Sequence, residues 1–228
     1  MHHPVQSSRR KRALFALFAA IMLAALFAYA YKFNAFKFTS SKSHETPAST
    51  VSPVDSGFAR SMLQHHAQAI QMAMMMMRGA ASPEIQALAQ SIVMKQTREM
   101  GVMEGWLSAW NEPMMLAGPP MAWVENAKNV RHLDDQLYQT QCKASGGVMA
   151  GVASPQQLEQ LKNASGVEKE ILFLELMETH HRAAIPMAWF ANRNGESSLV
   201  KALASGMVRE QGMEIGWIQL KLQQLKKS

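Results

Sequence analysis

The chain has 228 residues and a formal charge of +6, and no stripe of basic residues is interleaved with aromatics, which argues against nucleic acid as a partner. Hydrophobic residues make up 48% but aromatics only 7%, so the apolar content rests on Ala, Leu and Met, and an all-α fold is expected. There are 19 methionines against one cysteine, Cys142, which excludes an internal disulfide and a thiolate cluster and leaves soft-metal chemistry to thioether and imidazole.

Residues 1–12 end in Arg9, Arg10, Lys11 and Arg12. Residues 13–31 then carry no charge, a length that spans a bilayer as a helix. The positive-inside rule puts the basic segment in the cytoplasm and the chain beyond Lys32 outside. A cleaved leader is the rival reading, because Ala28-Tyr29-Ala30 fits a small-x-small cleavage pattern. On either reading the remainder is exported, to the periplasm or an equivalent extracytoplasmic side. Residues 32–54, rich in Ser, Thr, Pro and Lys, read as a flexible tether.

Shifting the sequence by 115 positions aligns residues 58–107 with 173–222 without a gap and with 18 identities. Among these are Phe58/Phe173, Met62/Met177, His65/His180, His66/His181, Ala69/Ala184, Met72/Met187, Gln96/Gln211 and Glu99/Glu214. One fixed offset of this kind marks duplication of a supersecondary unit. Upstream, Asp55 aligns with Glu170, an acid near the start of each first helix, where it complements the helix dipole.

Each copy predicts a helical hairpin, the first spanning 55–110 and the second 167–226. Helices are expected over 55–78 and 83–110, and again over 167–193 and 197–225. Ser82-Pro83 signals a helix start, and Gly79 and Gly195 fall where C-caps are expected. Two hairpins bury their apolar faces against each other, which gives a four-helix bundle. The connecting segment, 111–166, starts with a Pro- and Gly-rich loop, continues as a helix over 124–143, and ends in a short helix opened by Ser154-Pro155. It need not belong to the bundle core.

On a helical wheel His65 and His66 lie about 60° and 40° to either side of Met62. Met72 stands two turns above His65, with Ala69 and Ala73 keeping the surface between them low. Met177, His180, His181, Ala184, Met187 and Ala188 repeat the pattern. On the second helix Gln96, Glu99, Met100 and Met103 share a face, so Met100 and Met103 offer thioethers and Glu99 an acceptor for the outer nitrogen of a ligating imidazole. Gln211 and Glu214 do the same in the second copy, where Ile215 and Ile218 replace the two methionines and Met207 and Met213 are the nearby thioethers. Soft sulfur with imidazole favours Cu(I), and likewise Ag(I), while imidazole also admits Cu(II). The run Met74 to Met77 covers every face of its helix, so part of it only packs. Met114, Met115 and Met121, in the Pro/Gly loop, are candidates for an auxiliary capture site.

The pattern Phe58-x-x-x-Met62-x-x-His65-His66-x-x-Ala69-Ile70-x-Met72-Ala73, with Gln96-x-x-Glu99 downstream and the whole repeated from Phe173, resembles the domain of unknown function 305 family. The resemblance implies a ferritin-like helical bundle, usually exported, with members that bind copper in the periplasm through Met and His. It points to Met62, His65, His66, Met72, Met177, His180, His181 and Met187. The sequence departs from the pattern at Pro186, inside the second motif, where proline removes a helix hydrogen bond.

Two other classes compete with copper binding. A di-iron or di-manganese oxidoreductase would need repeated Glu-x-x-His, and only Glu178-Thr179-His180-His181 has that spacing. A metal-free interaction module would use a Met-rich helical face to grip partners. No nucleophile, base and orienting acid emerge as a triad, so no catalysis is expected. The expected partners are a copper ion, the membrane through the N-terminal helix, a copper-accepting protein and a second copy of the chain.

Overall fold

The computed structural model describes residues 51–78 and 81–227, together with Met22 and Ala24 as helical residues. Among the described residues there are seven helices and no strand: α1 (Pro53–Met77), α2 (Pro83–Ala109), α3 (Ala122–Glu125), α4 (Leu133–Ala144), α5 (Pro155–Asn163), α6 (Gly166–Asn194) and α7 (Ser198–Leu225). Apart from Met22 and Ala24, the helix expected over residues 13–31 lies outside the described residues, as do Gly79 and the tether up to residue 50. None of the described helices is long and apolar enough to cross a membrane.

Local chemistry explains where the helices start. Ser-Pro opens α1, α2 and α5, with proline in the first turn, where its missing N–H costs no helix hydrogen bond. Ser154 and Gln157 form a reciprocal capping box on α5. The helix α6 continues through Pro186 to Asn194. Gly195 ends it with φ −70°, so its role is not a left-handed turn. A Cβ there would run into Asp55 Oδ1 and the Ala191 carbonyl oxygen. Glycine is required because two segments meet closely.

Asp55 lies in the first turn of α1, as expected, yet its hydrogen bonds, like that of Glu170, go to the other hairpin. Asp55 Oδ2 accepts the N–H groups of Glu196 and Ser197, at 3.0 and 2.9 Å, where α7 begins. Glu170 Oε1 accepts the N–H of Ser82, at 2.5 Å, where α2 begins. Ser82 and Ser197 are themselves 115 residues apart. Each first helix therefore supplies an anionic acceptor to the orphan N–H groups of the other hairpin's second helix.

The connecting segment also departs from expectation. The single helix over 124–143 is two helices, because Asn129 adopts φ 61° and Gln139 Nε2 donates to the carbonyls of Val124, Glu125 and Ala127, satisfying the end of α3. Nor does the segment stand apart from the core. Met121, Trp123, Val124, Cys142 and Met149 join one apolar cluster, and Ala153 and Leu161 join another. Trp123 lies over Gly57, at a spot where any side chain on that glycine would collide, and its indole N–H donates to Ser61 at 2.9 Å.

α1 packs on α2, α6 on α7, and α1 on α6. Two apolar cores result. One takes Phe58 and Met62 from α1, Leu107 from α2, Met187 and Phe190 from α6, and Val200 from α7. The other takes Met72, Ile85, Phe173, Met177 and Leu222. Between these cores the buried residues of the four long helices are polar, apart from Ile215 on α7, and this middle layer contains every histidine of the duplicated motif.

Candidate metal centre

The middle layer consists of His65 and His66 from α1, Gln96 and Glu99 from α2, His180 and His181 from α6, and Gln211 and Glu214 from α7. Seven of the eight are buried, Glu99 being the most exposed of them at 8%, and Glu214 is slightly more exposed. The histidines are at most 1% exposed. An antiparallel pairing of α1 with α6 brings the two copies of the motif together at their centres. His65 and His180, counterparts in the duplication, face each other with ring centroids 3.6 Å apart.

Each outer histidine is tied to the partner helix of its own hairpin. His66 Nε2 is 2.7 Å from Glu99 Oε2, and His181 Nε2 is 2.7 Å from Glu214 Oε2. A carboxylate accepts, so Nε2 carries a proton in each pair, and each Nδ1 is left without a hydrogen-bond partner. His180 Nε2 donates to the carbonyl oxygen of His65 at 3.0 Å, which fixes the same tautomer. Five imidazole nitrogens then have no hydrogen-bond partner: Nδ1 of His65, His66, His180 and His181, and Nε2 of His65. A buried polar atom left without a partner costs on the order of 1–3 kcal/mol. Five in one layer is a large concentration of unmet hydrogen-bonding capacity.

Electrostatics keep the lone pairs of the two inner rings, His65 and His180, available. Burial pushes the pKa of His65 well below 6.5, and His180, His66 and His181 push it further. His180 is lowered by burial first, then by His181 and His66, against a smaller opposing effect of its bond to the His65 carbonyl. At neutral pH both inner rings are therefore uncharged, the form that ligates metal. Burial pushes the Glu214 carboxyl up, but the His181 and Lys95 bonds outweigh it and hold the group below its ordinary value.

The methionines divide between the two sides of this layer. Met62, Met103 and Met187 are buried in the first core and Met72 and Met177 in the second, while Met100 is half-buried against the first. Met62 and Met177 each precede a layer histidine, His66 and His181, by one helical turn. The second copy is the poorer in thioether at its partner helix: Ile215 and Ile218 fill the corresponding places, Met207 packs in the first core and Met213 is exposed. In the run at the end of α1, Met76 is buried and Met74 and Met77 are exposed. Met121 is a core side chain while Met114 and Met115 face solvent, so the three loop methionines do not form one surface site. Among the described residues no group of three His, Cys, Asp or Glu side chains is placed to hold a metal ion.

Glu178, the acid of the one Glu-x-x-His spacing, bonds Arg182 and Gln219 and takes no part in the layer. Sequence reasoning missed Lys95, whose ammonium donates to Glu214 Oε1 at 3.0 Å and lies 3.8 Å from Glu210 Oε2. The signal was present in the duplication: Lys95 and Glu210 occupy the same position of the two copies with opposite charge.

A family model described as "Domain of unknown function (DUF305)" matches residues 55–222. The fold is similar to that of a DUF305 protein from Streptomyces coelicolor predicted to be secreted, with 30% identity and a TM-score of 0.65 over 76% of this chain and 94% of that one. It is also similar to a DUF305 fragment from Deinococcus radiodurans, with 26% identity and a TM-score of 0.59 over 76% of this chain and 98% of the fragment. A third similar structure is CopM in the Cu(I)-bound form, with 26% identity and a TM-score of 0.53 over 75% of this chain and 96% of CopM. No curated protein matches the chain.

Proposed function

The chain belongs to the domain of unknown function 305 family, and from that premise we propose that it is an extracytoplasmic copper-binding protein that holds Cu(I) at the histidine layer. The observation that carries this reading is the set of five unpartnered imidazole nitrogens on four buried histidines. A structural histidine has its nitrogens satisfied, and these are left open by both copies of the motif. A Lewis-acidic ion relieves that deficit by accepting the lone pairs.

Ligand chemistry selects the ion. Zinc asks for three or four nitrogen, sulfur or carboxylate ligands, whereas thioether with a small number of imidazoles suits Cu(I) and Ag(I). With no three His, Cys, Asp or Glu converging among the described residues, the ion draws on one or two imidazoles and on sulfur from the flanking Met62, Met72, Met177 and Met187, with Met100 and Met103 on the first hairpin. Imidazole also accommodates Cu(II). Glu99 and Glu214 orient His66 and His181 and increase the basicity of their free nitrogens, the usual task of a carboxylate behind a ligating histidine. The similarity to CopM, seen in a Cu(I)-bound form, supports the same cargo here.

The role is carriage, in buffering, resistance or delivery, and not catalysis. Export is supported by the basic and then apolar N-terminal sequence, by reliance on Met and His in place of Cys, and by the similarity to a protein predicted to be secreted. The test is titration of the full chain with Cu(I) under reducing conditions against a competing chelator. Stoichiometric uptake that is lost when His65, His66, His180 and His181 are replaced together supports the reading. No uptake favours a metal-free interaction module, and iron bound in pairs favours a redox centre.

A further inference from the structure

An ion held in the histidine layer needs a way in, because the four imidazoles are sealed from solvent. α1 lies against α6 and each hairpin is closely packed within itself. Between α2 and α7, however, there is a narrow crevice with a cavity of about 10 Å³, lined among others by Lys95, Gln96, Glu99, Glu210, Gln211 and Glu214. That is about the space of one water molecule or one small ion. Its inner wall is the layer itself, since Glu99 and Glu214 are the acceptors of His66 and His181.

Two independent features mark the crevice as a place for a cation. It gathers three carboxylates against the single ammonium of Lys95. It also contains two amide oxygens, Gln96 Oε1 and Gln211 Oε1, that are buried and have no hydrogen-bond partner. The two glutamines are counterparts in the duplication, so both copies present an open acceptor to the same gap. Lys95 closes the gap by reaching from α2 to Glu214 and Glu210 on α7.

We propose that the crevice between α2 and α7 is the port through which a soft monovalent cation reaches the histidine layer, and that Lys95 is its latch. The proposal rests on the copper reading above and adds the route and the gate. An arriving Cu(I) ion brings the positive charge that Glu214 otherwise receives from Lys95, so it displaces the ammonium, which swings out on its flexible stem. The orphan amide oxygens and the carboxylates pass the ion along without trapping it, because hard oxygen ligands hold soft Cu(I) weakly. Imidazole and thioether inside bind it better. Once the ion has moved inward the ammonium returns to Glu214.

The test follows Cu(I) loading of the full chain, and its release to a chromogenic chelator, by stopped-flow absorbance. Lys95→Gln is expected to speed loading and release together by about fivefold, the scale of one partly exposed ion pair. Lys95→Arg, which keeps the charge and the bridge, is expected to stay near the parent rates. Gln96→Leu combined with Gln211→Leu is expected to slow both directions severalfold while thermal stability is kept or raised, a combination that general loosening of the bundle does not produce. Equal rates for the parent and Lys95→Gln with binding intact overturn the port and leave the copper reading standing. The same holds if the double glutamine variant loads as fast as the parent. Failure of the parent chain to bind Cu(I) at all overturns both.

Discussion

His65 and His180 occupy the same position of the two duplicated hairpins, and their rings meet in the middle of the bundle with centroids 3.6 Å apart and planes inclined by 35°. Charging either ring places an imidazolium in a dry layer beside three other histidines. Both pKa values are therefore depressed in the folded state, by burial first and then by neighbouring histidines. The unfolded chain takes up these protons near 6.5 and the folded chain does so only at lower pH. Stability from the neutral pair is thus fully present above 6.5 and is lost as the pH falls from there through the depressed folded values. Each histidine adds at most about 1.4 kcal/mol per pH unit in that window. The urea midpoint of the metal-free protein is expected to fall between about pH 7.5 and 5. In a variant with both residues replaced by Leu it should be much flatter, and an unchanged slope would count against the assignment.

Much of this architecture was legible in the sequence because duplication supplies two readings of every position. The Ser-Pro pairs fixed helix starts, and the 115-residue offset identified both hairpins and the His, Gln and Glu residues that share the middle layer. Pairing between copies was harder to see. A helical wheel gives the face on which Asp55 or Lys95 lies but not which helix faces it, so the crossed caps and the Lys95 bridge depended on the tertiary arrangement. The connecting segment is hard to read from sequence for a related reason. Trp123, Met121 and Cys142 carry no helical periodicity of the bundle, yet the fold uses them as core, and Asn129 breaks a helix that propensity alone would have continued. The methionines were the least legible of all, since a thioether that packs and one that ligates have the same spacing.

The crossed caps make a separate prediction about stability. Asp55 is 1% exposed and serves two N–H groups at the start of α7, while Glu170 serves Ser82 at the start of α2. Asp55→Ala and Glu170→Ala are each expected to cost about 1–2 kcal/mol in urea unfolding, the range for loss of a helix cap. The two contacts lie at opposite ends of the bundle, so the double variant is expected to lose the sum, within about 0.5 kcal/mol. Ser52→Ala, which removes a single 3.2 Å bond to Val54 within one helix end, is expected to cost less than either. A double variant no worse than the single ones would mean that the two hairpins are not held together at these points.

Neighbouring histidines should respond to the same substitution with opposite signs. His65 has no partner at either nitrogen, so replacing it with Leu removes two unsatisfied polar atoms from the core and substitutes a side chain of similar bulk. The metal-free protein is expected to gain about 1 kcal/mol or to stay unchanged, because an apolar replacement of similar shape avoids the desolvation cost. His66 differs by one bond: its Nε2–H satisfies Glu99 at 2.7 Å. His66→Leu strands that carboxylate beside the layer and is expected to cost about 2–3 kcal/mol, while the pair His66→Leu with Glu99→Leu recovers most of the loss. Copper separates function from stability, since it is expected to raise the thermal midpoint of the parent chain and to do so much less in His65→Leu. A side chain whose loss stabilises the empty protein and weakens its response to metal is kept for the metal. If His65→Leu destabilised the empty protein as strongly as His66→Leu, its open nitrogens would have to be satisfied in solution, and the case for ligation at this position would fall.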